Sequence, residues 1–389
     1  MPKIRVAYLM HGARNVGGGE YALYSLVKNL RRDIFEPIVF YSHENEIVKK
    51  LMEDAVHVVQ IPLNKKITSV YRDEIQKDPF SLFVYLCYLL SGIFQIIKLL
   101  NKYKIDILHP HDNLSKIMGG VAVKLTRKKA VTHCHDLLQN NLIDKLLLFY
   151  QLIVMDRIIA VSESVKSVFR FFNKIPGKVC VVHNGIDITN FSSVKNYDLK
   201  ITLGLSSDAT VIGVIAVFDA CKGHVYLFHA IKKLVSDGLK DIVCLVIGDG
   251  RMGNELRTFV VHERLEPYIR FLGYRTDVSQ LLTIVDIVAI PSLQESFGIT
   301  ALEAMAMKVP VIATDVGGLQ EIVAEGETGM LVQPANIDAL YGALKYLIQH
   351  ADLRQKMGEA GKKRVENMFS LEKNVRKTEE IYLNVLKID

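Results

Sequence analysis

The sequence contains no tryptophan and only five cysteines in 389 residues. None of the cysteines belongs to a Cys-x-x-Cys pair or to a cysteine–histidine spacing typical of zinc sites. A long chain with so few cysteines is not built on disulfides, and reduced thiols indicate the cytosol. The lack of tryptophan, and of basic motifs interleaved with aromatic residues, argues against a nucleic-acid partner. The cysteines are Cys87, Cys134, Cys180, Cys221 and Cys244.

The N-terminus also lacks the pattern of a secretory signal, because a strand pattern begins at residue 4 without a preceding charged region and apolar stretch. We therefore expect a cytoplasmic protein. Its charge is unevenly divided: residues 1–190 contain 26 Lys and Arg against 17 Asp and Glu, and residues 191–389 contain 22 against 25. The first part thus carries +9 and the second −3, which together give the net charge of +6. A basic first half favours an anionic ligand or surface.

Short apolar runs rich in valine and isoleucine alternate with longer helical patterns along the whole chain. Continuously apolar runs are typical of parallel strands buried on both faces, and their alternation with helices indicates doubly wound sheets. A break near residues 184–200 separates two series, so we predict two Rossmann-like α/β domains, 1–190 and 191–369. The predicted strands are 4–10, 37–41, 56–61, 105–109, 130–135, 157–162 and 178–183, then 211–217, 243–248, 269–272, 287–291, 310–314 and 329–332.

Residues 79–97 contain no charge and are long enough to cross a bilayer. Strand patterns lie on both sides of this segment, so a span would place parts of one sheet on opposite sides of a membrane. We therefore predict a buried crossover helix. Contact with a membrane surface stays open as an alternative, because Lys98, Lys102 and Lys104 follow the segment.

A first candidate site is the segment Asn15-Val-Gly-Gly-Gly-Glu20, which joins strand 4–10 to an amphipathic run. Glycines between a strand and a helix let backbone amides approach a phosphate, and the helix dipole favours the negative charge. The segment is not a Gly-x-Gly-x-x-Gly fingerprint, which disfavours a dinucleotide site. A tight turn at a helix start, without a ligand, stays open. The candidate ligand-binding residues are Gly17 and Gly18.

A second candidate site follows strand 287–291, where a polar loop with Gly298 leads into a helix. Amides at that helix start can bind a diphosphate. Glu295 lies in the loop and Glu303 about one turn into the helix, and two carboxylates beside an anionic ligand are explained if they bind hydroxyl groups. Without a ligand, a favourable interaction with the helix dipole would explain Glu303, but it would not explain Glu295.

At this point the sequence resembles the retaining glycosyltransferases of family 4, which have the GT-B fold of two facing Rossmann-like domains. The Glu-x7-Glu signature of that family matches Glu295 and Glu303. Other motifs agree in order along nearly the whole chain. They are His183-Asn-Gly-Ile-Asp187, Lys222-Gly-His, Phe271-Leu-Gly-Tyr-Arg275, Asp286-Ile-Val-Ala-Ile-Pro-Ser292, Pro310-Val-Ile-Ala-Thr-Asp-Val-Gly-Gly318 and Gly329-Met-Leu-Val.

The resemblance implies a donor site in the second domain, an acceptor site in the first, and an active site in the cleft between them. Glu303 would hold the donor ribose, Glu295 the sugar hydroxyls, and Lys222 the departing diphosphate, where positive charge is needed as the bond breaks. A C-terminal helix, about residues 370–389, would pack back on the first domain. The remaining residues that the resemblance assigns to the donor are Tyr274, Arg275, Phe297, Gly298, Ile299 and Thr300.

Histidines end two strands of the first half, in Thr132-His-Cys-His135-Asp136 and His109-Pro-His111. By resemblance, His135 would bind a sugar hydroxyl or stabilise charge in catalysis together with Glu295 and Lys222. His111 and Asn184 are candidates for the acceptor cleft. A zinc site and a structural role for these histidines stay open.

The sequence departs from the family pattern at Val217, where an arginine usually stands five positions before the lysine. One of two cations on the diphosphate is therefore absent from that position, which would weaken donor binding unless another basic residue replaces it. No Asp-x-Asp pair occurs in the chain, although that motif usually holds the metal in the other large glycosyltransferase fold. The resemblance thus implies chemistry without a metal ion or other cofactor.

The expected function is hexosyl transfer with retention from a nucleotide-sugar, by default a UDP-sugar, to a glycan or lipid-linked acceptor. A basic and apolar first domain suits an acceptor at the inner face of a membrane, in polysaccharide or lipopolysaccharide assembly. Two alternatives stay open: a nucleotide-sugar binding protein with little transfer activity, which Val217 favours, and a nucleotide-sugar epimerase of the same fold.

Overall fold

The computed structural model describes residues 2–11, 17–63, 79–135, 142–172, 177–191 and 196–388. The chain folds into two compact units. The first comprises Met1–Val161, Val165–Val182 and Asn374–Asp389, and the second comprises Ser162–Ser164 and His183–Lys373. The main boundary therefore falls after Val182, earlier than the predicted boundary at residue 190, and the C-terminal residues belong to the first unit.

The first unit contains a seven-stranded parallel sheet with the order β3-β2-β1-β4-β5-β6-β7. Each of the seven strands predicted in the first half is present, because each apolar run is long enough to fill one buried strand. The sequence prediction of an α/β doubly wound fold is confirmed here. The strands are β1 (Ile4–Met10), β2 (Phe35–Tyr41), β3 (His57–Gln60), β4 (Ile107–Pro110), β5 (Lys129–Cys134), β6 (Arg157–Ala160) and β7 (Val179–Val181).

Helices connect these strands, and polar caps fix where several of them begin. The side chain of Asn45 accepts a hydrogen bond from Val48 N–H, and that of Asp112 from Ser115 N–H, which satisfies an orphan amide at each helix start. The helices are α1 (Gly18–Asn29), α2 (Glu46–Glu53), α3 (Pro79–Lys102), α4 (Asn113–Thr126), α5 (Leu142–Val154) and the short α6 (Glu163–Ser167), whose first residues are grouped with the second unit.

The second unit contains a six-stranded parallel sheet with the order β10-β9-β8-β11-β12-β13, again with every predicted strand present. Strand β8 lies between β9 and β11. The chain leaves β8 toward β9 on one side and leaves β11 toward β12 on the other, so the two connections run in opposite directions. A crevice at the carboxyl ends of such strands is where open α/β sheets bind ligands. The strands are β8 (Thr210–Ile215), β9 (Ile242–Ile247), β10 (Ile269–Gly273), β11 (Ile287–Ile290), β12 (Val311–Thr314) and β13 (Gly329–Val332).

A continuous apolar core of the second unit lies between this sheet and the helices that follow β8, β9 and β13. The helices are α7 (Tyr197–Thr202), α8 (His224–Ser236), α9 (Gly253–His262), α10 (Val278–Leu282), α11 (Ile299–Ala306), α12 (Leu319–Ile322), α13 (Ile337–Gln349) and α14 (Ala351–Met368). Two short 3₁₀ turns occur at Ile188–Asn190 and Ala220–Lys222. The last helix, α15 (Leu371–Leu386), passes from the second unit into the first.

The prediction of a buried crossover helix at residues 79–97 is wrong in one respect. Helix α3 does connect β3 to β4, but only 17% of its most apolar 18-residue stretch, within Phe83–Lys102, is buried. By length and composition the helix could span a membrane. Because β3 and β4 belong to one sheet, however, a span is incompatible with this fold. The apolar composition predicted the helix but not which of its faces would be covered.

Candidate functional site

The turn that carries Lys222 follows β8 in the second unit. Asp219 accepts a hydrogen bond from Cys221 N–H at 3.1 Å and so caps the 3₁₀ turn that ends at Lys222. Gly223 comes next, with φ of 67°, and a Cβ atom on it would lie 2.0 Å from the carbonyl oxygen of Pro291. Glycine is therefore required, both for the left-handed backbone and for the close approach of the turn to the end of β11.

The loop between β11 and α11 is bound to that turn and to the next loop of the sheet. Leu293 N–H donates to the carbonyl of Cys221 at 2.7 Å, and Gly318 N–H donates to the carbonyl of Glu295 at 3.2 Å. Gly298, at the start of α11, has φ of 110°, and a Cβ there would lie 2.6 Å from a methyl carbon of Leu319. Three loops are thus held together at the carboxyl edge of the sheet.

Lys222 and Glu295 form an ion pair within this set of loops. The Nζ of Lys222 lies 2.7 Å from Oε2 of Glu295, and the hydroxyl of Ser292 lies 3.2 Å from the same oxygen. The two side chains are 20% and 15% exposed, so both remain within reach of solvent. A partly exposed pair of this kind can open when a ligand offers an anion to the lysine and hydroxyl groups to the carboxylate.

The start of α11 presents backbone donors close to this pair. The amides of Ile299 and Thr300 make no hydrogen bond with any described residue, as expected for the first turn of a helix. Phe297 is buried against His183 and Phe369, which fixes the loop just ahead of these amides. The hydroxyl of Thr300 donates to the carbonyl of Ile215 at the end of β8. The geometry suits an anion at the helix start.

Glu303 lies in the second turn of α11 and is partly buried. Its carboxyl group makes no hydrogen bond or ion pair with the described residues, and burial raises its pKa to about 7. Unlike Glu295, it therefore has free hydrogen-bonding capacity in a poorly solvated place. Such a carboxyl is suited to a neutral polyhydroxyl partner, such as a ribose.

The raised pKa of Glu303 predicts a measurable effect of Glu303→Gln on stability. The folded protein retains the Glu303 proton between about pH 4.5 and 7, where the unfolded chain loses it, so wild-type stability falls as the pH rises through that range. Glutamine cannot ionise, so the variant should be more stable than the wild type by about 3 kcal/mol at pH 8. At pH 4.5 the difference should nearly vanish. Chemical denaturation at both pH values measures it, and parallel pH curves for the two proteins would contradict the assignment.

Tyr274 and Arg275 follow β10 at the same edge of the sheet. Tyr274 is 57% exposed, and Arg275 donates two hydrogen bonds to the carboxylate of Asp277, at 2.7 and 2.5 Å. No hydrogen bond or ion pair among the described residues joins either of them to Lys222, Glu295 or Glu303. Their predicted contact with a nucleotide base therefore stays a prediction.

A separate cluster in the first unit brings together the glycine segment and two predicted histidines. A Cβ on Gly19 would lie 3.6 Å from both the His111 and His135 rings, and those rings are 5.1 Å apart. Glu20 accepts a hydrogen bond from Gly17 N–H at 3.0 Å, so this helix start already has a carboxylate beside it. Residues 15 and 16 of the predicted glycine motif, and Asp136, lie outside the described residues.

Behind these histidines lies a buried polar chain that the sequence analysis missed. The hydroxyl of Tyr382, on α15, lies 2.6 Å from Nδ1 of His109 and 3.0 Å from the hydroxyl of Tyr8. Nε2 of His109 lies 2.9 Å from Nδ1 of His133, whose ring stacks on that of His135. The recurrence of histidine at alternate positions of two strands was visible in the sequence, but the tyrosines come from distant segments.

Burial keeps this histidine cluster uncharged. It lowers the pKa of His111 to about 4 and that of His133 to about 3, and it lowers the pKa of His135 well below its usual value. Neutral imidazoles can donate and accept hydrogen bonds but carry no charge at neutral pH. Among the residues that the structure describes, no three His, Cys, Asp or Glu side chains are placed to hold a metal ion.

The sequence predicts Asn184 as a second residue of the acceptor cleft. It is buried, at 5% exposure, and it belongs to the second unit, where the neighbouring Gly185 packs on the backbone of Ser370. His111 belongs to the first unit. The acceptor role predicted for these two residues stays a prediction.

Comparisons with known proteins identify the family. Residues 16–190 match the sequence model described as Glycosyltransferase Family 4, and residues 198–364 match the one described as Glycosyl transferases group 1. Together the two matches cover most of both units. The chain belongs to glycosyltransferase family 4. It has the GT-B fold, and it is a glycosyltransferase that uses a nucleotide-sugar donor.

Curated relatives of this glycosyltransferase differ in what their names say they act on. The chain is 29% identical to the N-acetyl-alpha-D-glucosaminyl L-malate synthase of Bacillus anthracis, over 84% of this chain and 87% of that protein. It is 26% identical to the UDP-Gal:alpha-D-GlcNAc-diphosphoundecaprenol alpha-1,3-galactosyltransferase of Escherichia coli, over 76% of this chain and 80% of that protein.

Solved structures agree with the fold of the glycosyltransferase. A glycosyltransferase from Rickettsia africae superposes with a TM-score of 0.83 at 25% identity, and the match covers the whole of both chains. The Anabaena protein Alr3699/HepE, solved in complex with UDP, superposes with a TM-score of 0.82 at 20% identity, over 98% of this chain and all of that one. At such low identity the second likeness shows the fold alone.

Proposed function

We propose that the glycosyltransferase transfers a hexosyl group from a UDP-sugar, with retention of configuration and without a metal ion, to a lipid-linked acceptor. The observation that carries the proposal is the Lys222–Glu295 pair beside the free amides of α11. In this proposal the positive charge of Lys222 and the amides of α11 act on one leaving diphosphate, which needs both, and Glu295 binds hydroxyl groups of the sugar.

The donor would be held as follows. The amides at Phe297, Gly298, Ile299 and Thr300 bind the diphosphate, and Glu303 binds the ribose hydroxyls through its free carboxyl. Lys222 exchanges its contact with Glu295 for the β-phosphate, which frees Glu295 to accept hydrogen bonds from the sugar. Tyr274 and Arg275 lie at the same sheet edge, where they can flank the uracil base.

The reaction would depend on positive charge and amide donors that are already in position before the glycosidic bond breaks. As the glycosidic bond to the diphosphate breaks, negative charge grows on the phosphate oxygens, and Lys222 with the α11 amides stabilises it. A departing phosphate oxygen on the same face of the sugar takes the proton of the acceptor hydroxyl, so the new bond forms on the face that the leaving group vacates. Retention follows without an enzyme nucleophile.

His135 would act as a hydrogen-bonding group. Because burial holds its pKa well below the usual value, the ring is neutral at pH 7 and can donate to or accept from a sugar hydroxyl. Gly17 and Gly18 stand at the start of the helix whose next residue is Gly19, and a Cβ on Gly19 would lie 3.6 Å from the same ring.

Arg251 is the residue that we propose as the second cation on the diphosphate. The side chain of Val217 is 53% exposed and offers no charge. Arg251 lies on the next loop of the sheet, where it pairs with Asp219 at 2.7 Å, only three residues before Lys222. Gly250 brings this loop against the backbone of Phe218, since a Cβ there would lie 2.6 Å from the Phe218 carbonyl oxygen.

The identity of donor and acceptor is supported by the names of relatives. The Escherichia coli relative is named for a UDP-sugar donor and a diphosphoundecaprenol acceptor, and a Staphylococcus aureus relative, 30% identical over 59% of this chain, is named for capsular polysaccharide biosynthesis. We infer polysaccharide or lipopolysaccharide assembly at the inner face of the cytoplasmic membrane. A nucleotide-sugar binding protein with weak transfer is the second candidate, and the uncharged Val217 is what favours it.

The test is to identify the product. The protein is incubated with UDP-glucose, UDP-galactose or UDP-N-acetylglucosamine and a short-chain prenyl diphosphate carrying one sugar, and the anomeric proton of the product is read by NMR. We expect one donor to give an α-linked product. A β-linked product would refute retention, an epimerised donor would indicate an epimerase, and tight UDP-sugar binding without product would favour the binding protein.

A further inference from the structure

Helix α3 of the first unit exposes a row of large apolar side chains. Phe83, Leu86, Leu90 and Phe94 are 63%, 51%, 56% and 68% exposed. They recur at three- and four-residue intervals, so they lie along one face of the helix, and the next exposed position on that face is Lys98. The opposite face, with Ile96 and Leu100, is buried against the unit.

Helix α5 has a face of the same kind. Five of its thirteen residues are large, apolar and between 48% and 73% exposed, again on one side of the helix. Phe171 is 73% exposed, and the ammonium group of Lys145 lies over its ring. The exposed α5 residues are Leu142, Ile143, Leu146, Phe149 and Ile153.

The two faces belong to one layer of helices. Right-handed crossovers from β3 to β4, β4 to β5 and β5 to β6 place α3, α4 and α5 on the same side of the sheet. Helix α4 packs against both α3 and α5 and is itself mostly buried. The outward sides of α3 and α5 therefore border the same surface of the first unit, which we call the apolar layer.

The exposed charged side chains on the described helices of the apolar layer are basic. Helices α3, α4 and α5 contain a single acidic residue, Asp144, and it is 2% exposed. Exposed basic residues stand at or just after the ends of α3 and α4: Lys98, Lys102, Lys104, Lys124 and Arg127. An apolar surface bordered by lysine and arginine, without exposed carboxylates on its helices, is complementary to anionic lipid headgroups above an acyl phase.

We propose that the apolar layer docks on the surface of an anionic lipid bilayer, with α3 and α5 lying in the interface rather than crossing it. Exposed apolar area of this extent is unusual for a protein without a partner. The shared sheet of β3 and β4 excludes a span, and the charge pattern selects a negatively charged surface. The inference deepens the proposed lipid-linked acceptor and rests on it for its biological purpose, but the binding itself needs neither donor nor acceptor.

Vesicle binding of the full chain tests the proposal. Sedimentation with phosphatidylcholine vesicles, with and without phosphatidylglycerol, measures the partition coefficient of the wild type and of three double variants. Leu90→Glu with Phe94→Glu alters α3, Leu146→Glu with Phe149→Glu alters α5, and Lys98→Glu with Lys102→Glu alters the charge. Val261→Glu with Tyr346→Glu is the matched control, since both residues are exposed apolar side chains of the second unit.

We expect the wild type to bind only vesicles that contain phosphatidylglycerol. Each apolar double variant should lower the partition coefficient by roughly tenfold or more, and the lysine variant should lower it by roughly thirtyfold or more. The control should bind as the wild type does, and equal melting temperatures would show that all variants are folded. Lys222→Met, which alters the donor site, should not change vesicle binding, so a failure here is distinct from a failure of the proposed function.

Several results would overturn the proposal. The wild type could fail to bind anionic vesicles, or the apolar variants could bind these vesicles as strongly as the control variant does. Sedimentation equilibrium could also show a wild-type dimer that the apolar variants dissociate, without any lipid binding. The apolar layer would then be an interface between two copies of this chain.

Discussion

Lys222→Met is expected to lower kcat/KM for the nucleotide-sugar by roughly 10³-fold, the effect of removing one charge that stabilises a developing oxyanion. Methionine keeps the length and apolar stem of the side chain but not its charge. The loss should appear mainly in kcat, because negative charge on the diphosphate increases as the bond breaks. Initial rates of UDP release over a range of donor concentrations give both constants.

The matched control for this experiment is Lys308→Met. Lys308 also belongs to the second unit and pairs with a carboxylate, Glu359, at 2.8 Å. Its pair is partly exposed and, among the described residues, shares no hydrogen bond or ion pair with Lys222, Glu295 or Glu303, so its loss should change kcat/KM less than twofold, as for most surface ion pairs. Equal effects of the two substitutions would show that Lys222 contributes to stability alone.

Gly223→Ala is expected to destabilise the second unit by about 3 kcal/mol or more, through left-handed backbone strain and a steric clash. The new Cβ would lie 2.0 Å from the carbonyl oxygen of Pro291, which is backbone and cannot rotate away. The Lys222 turn would have to separate from the loop after β11. The Lys222–Glu295 pair would be lost with it, so donor binding should weaken as well.

Gly238→Ala is the matched control for Gly223→Ala, because it introduces the backbone strain without the steric clash. Gly238 has φ of 89°, and a Cβ on it meets nothing within 4 Å. This control should cost only about 1 kcal/mol, the strain of a left-handed residue. Urea denaturation of both variants, followed by nucleotide binding, measures the difference. If Gly223→Ala costs no more than Gly238→Ala, the two loops are not held together as described.

The strands could be predicted from the sequence because each is a short, continuous apolar run. Such a run is typical of a strand in a sheet that is covered on both faces. The family motifs likewise gave the order of the loops at the carboxyl edge of the second sheet. The prediction that failed was the burial of α3. Apolar composition identifies a helix that avoids water, but it does not tell whether the protein itself or another phase covers its outer face.

The site geometry could be predicted only in part. Glu295 and Lys222 were assigned to different parts of the donor, yet here they contact each other at 2.7 Å, because three loops converge. The contact of Tyr382 with His109 joins residues 273 positions apart and depends on where the last helix packs. The pKa of Glu303 reflects burial that no local pattern records. Each of these features arises from tertiary packing.

The central claim is that the loops after β8 and β11 bind the nucleoside diphosphate of a sugar donor. Calorimetric titration of the wild type and of Glu303→Ala with UDP, GDP and ADP tests it most directly. The account predicts that UDP binds the wild type with the highest affinity and that the variant binds it at least tenfold more weakly, since the hydrogen bonds between the Glu303 carboxyl group and the ribose hydroxyls are lost. If no nucleotide binds the wild type, or if Glu303→Ala binds UDP unchanged, the donor site described here is wrong.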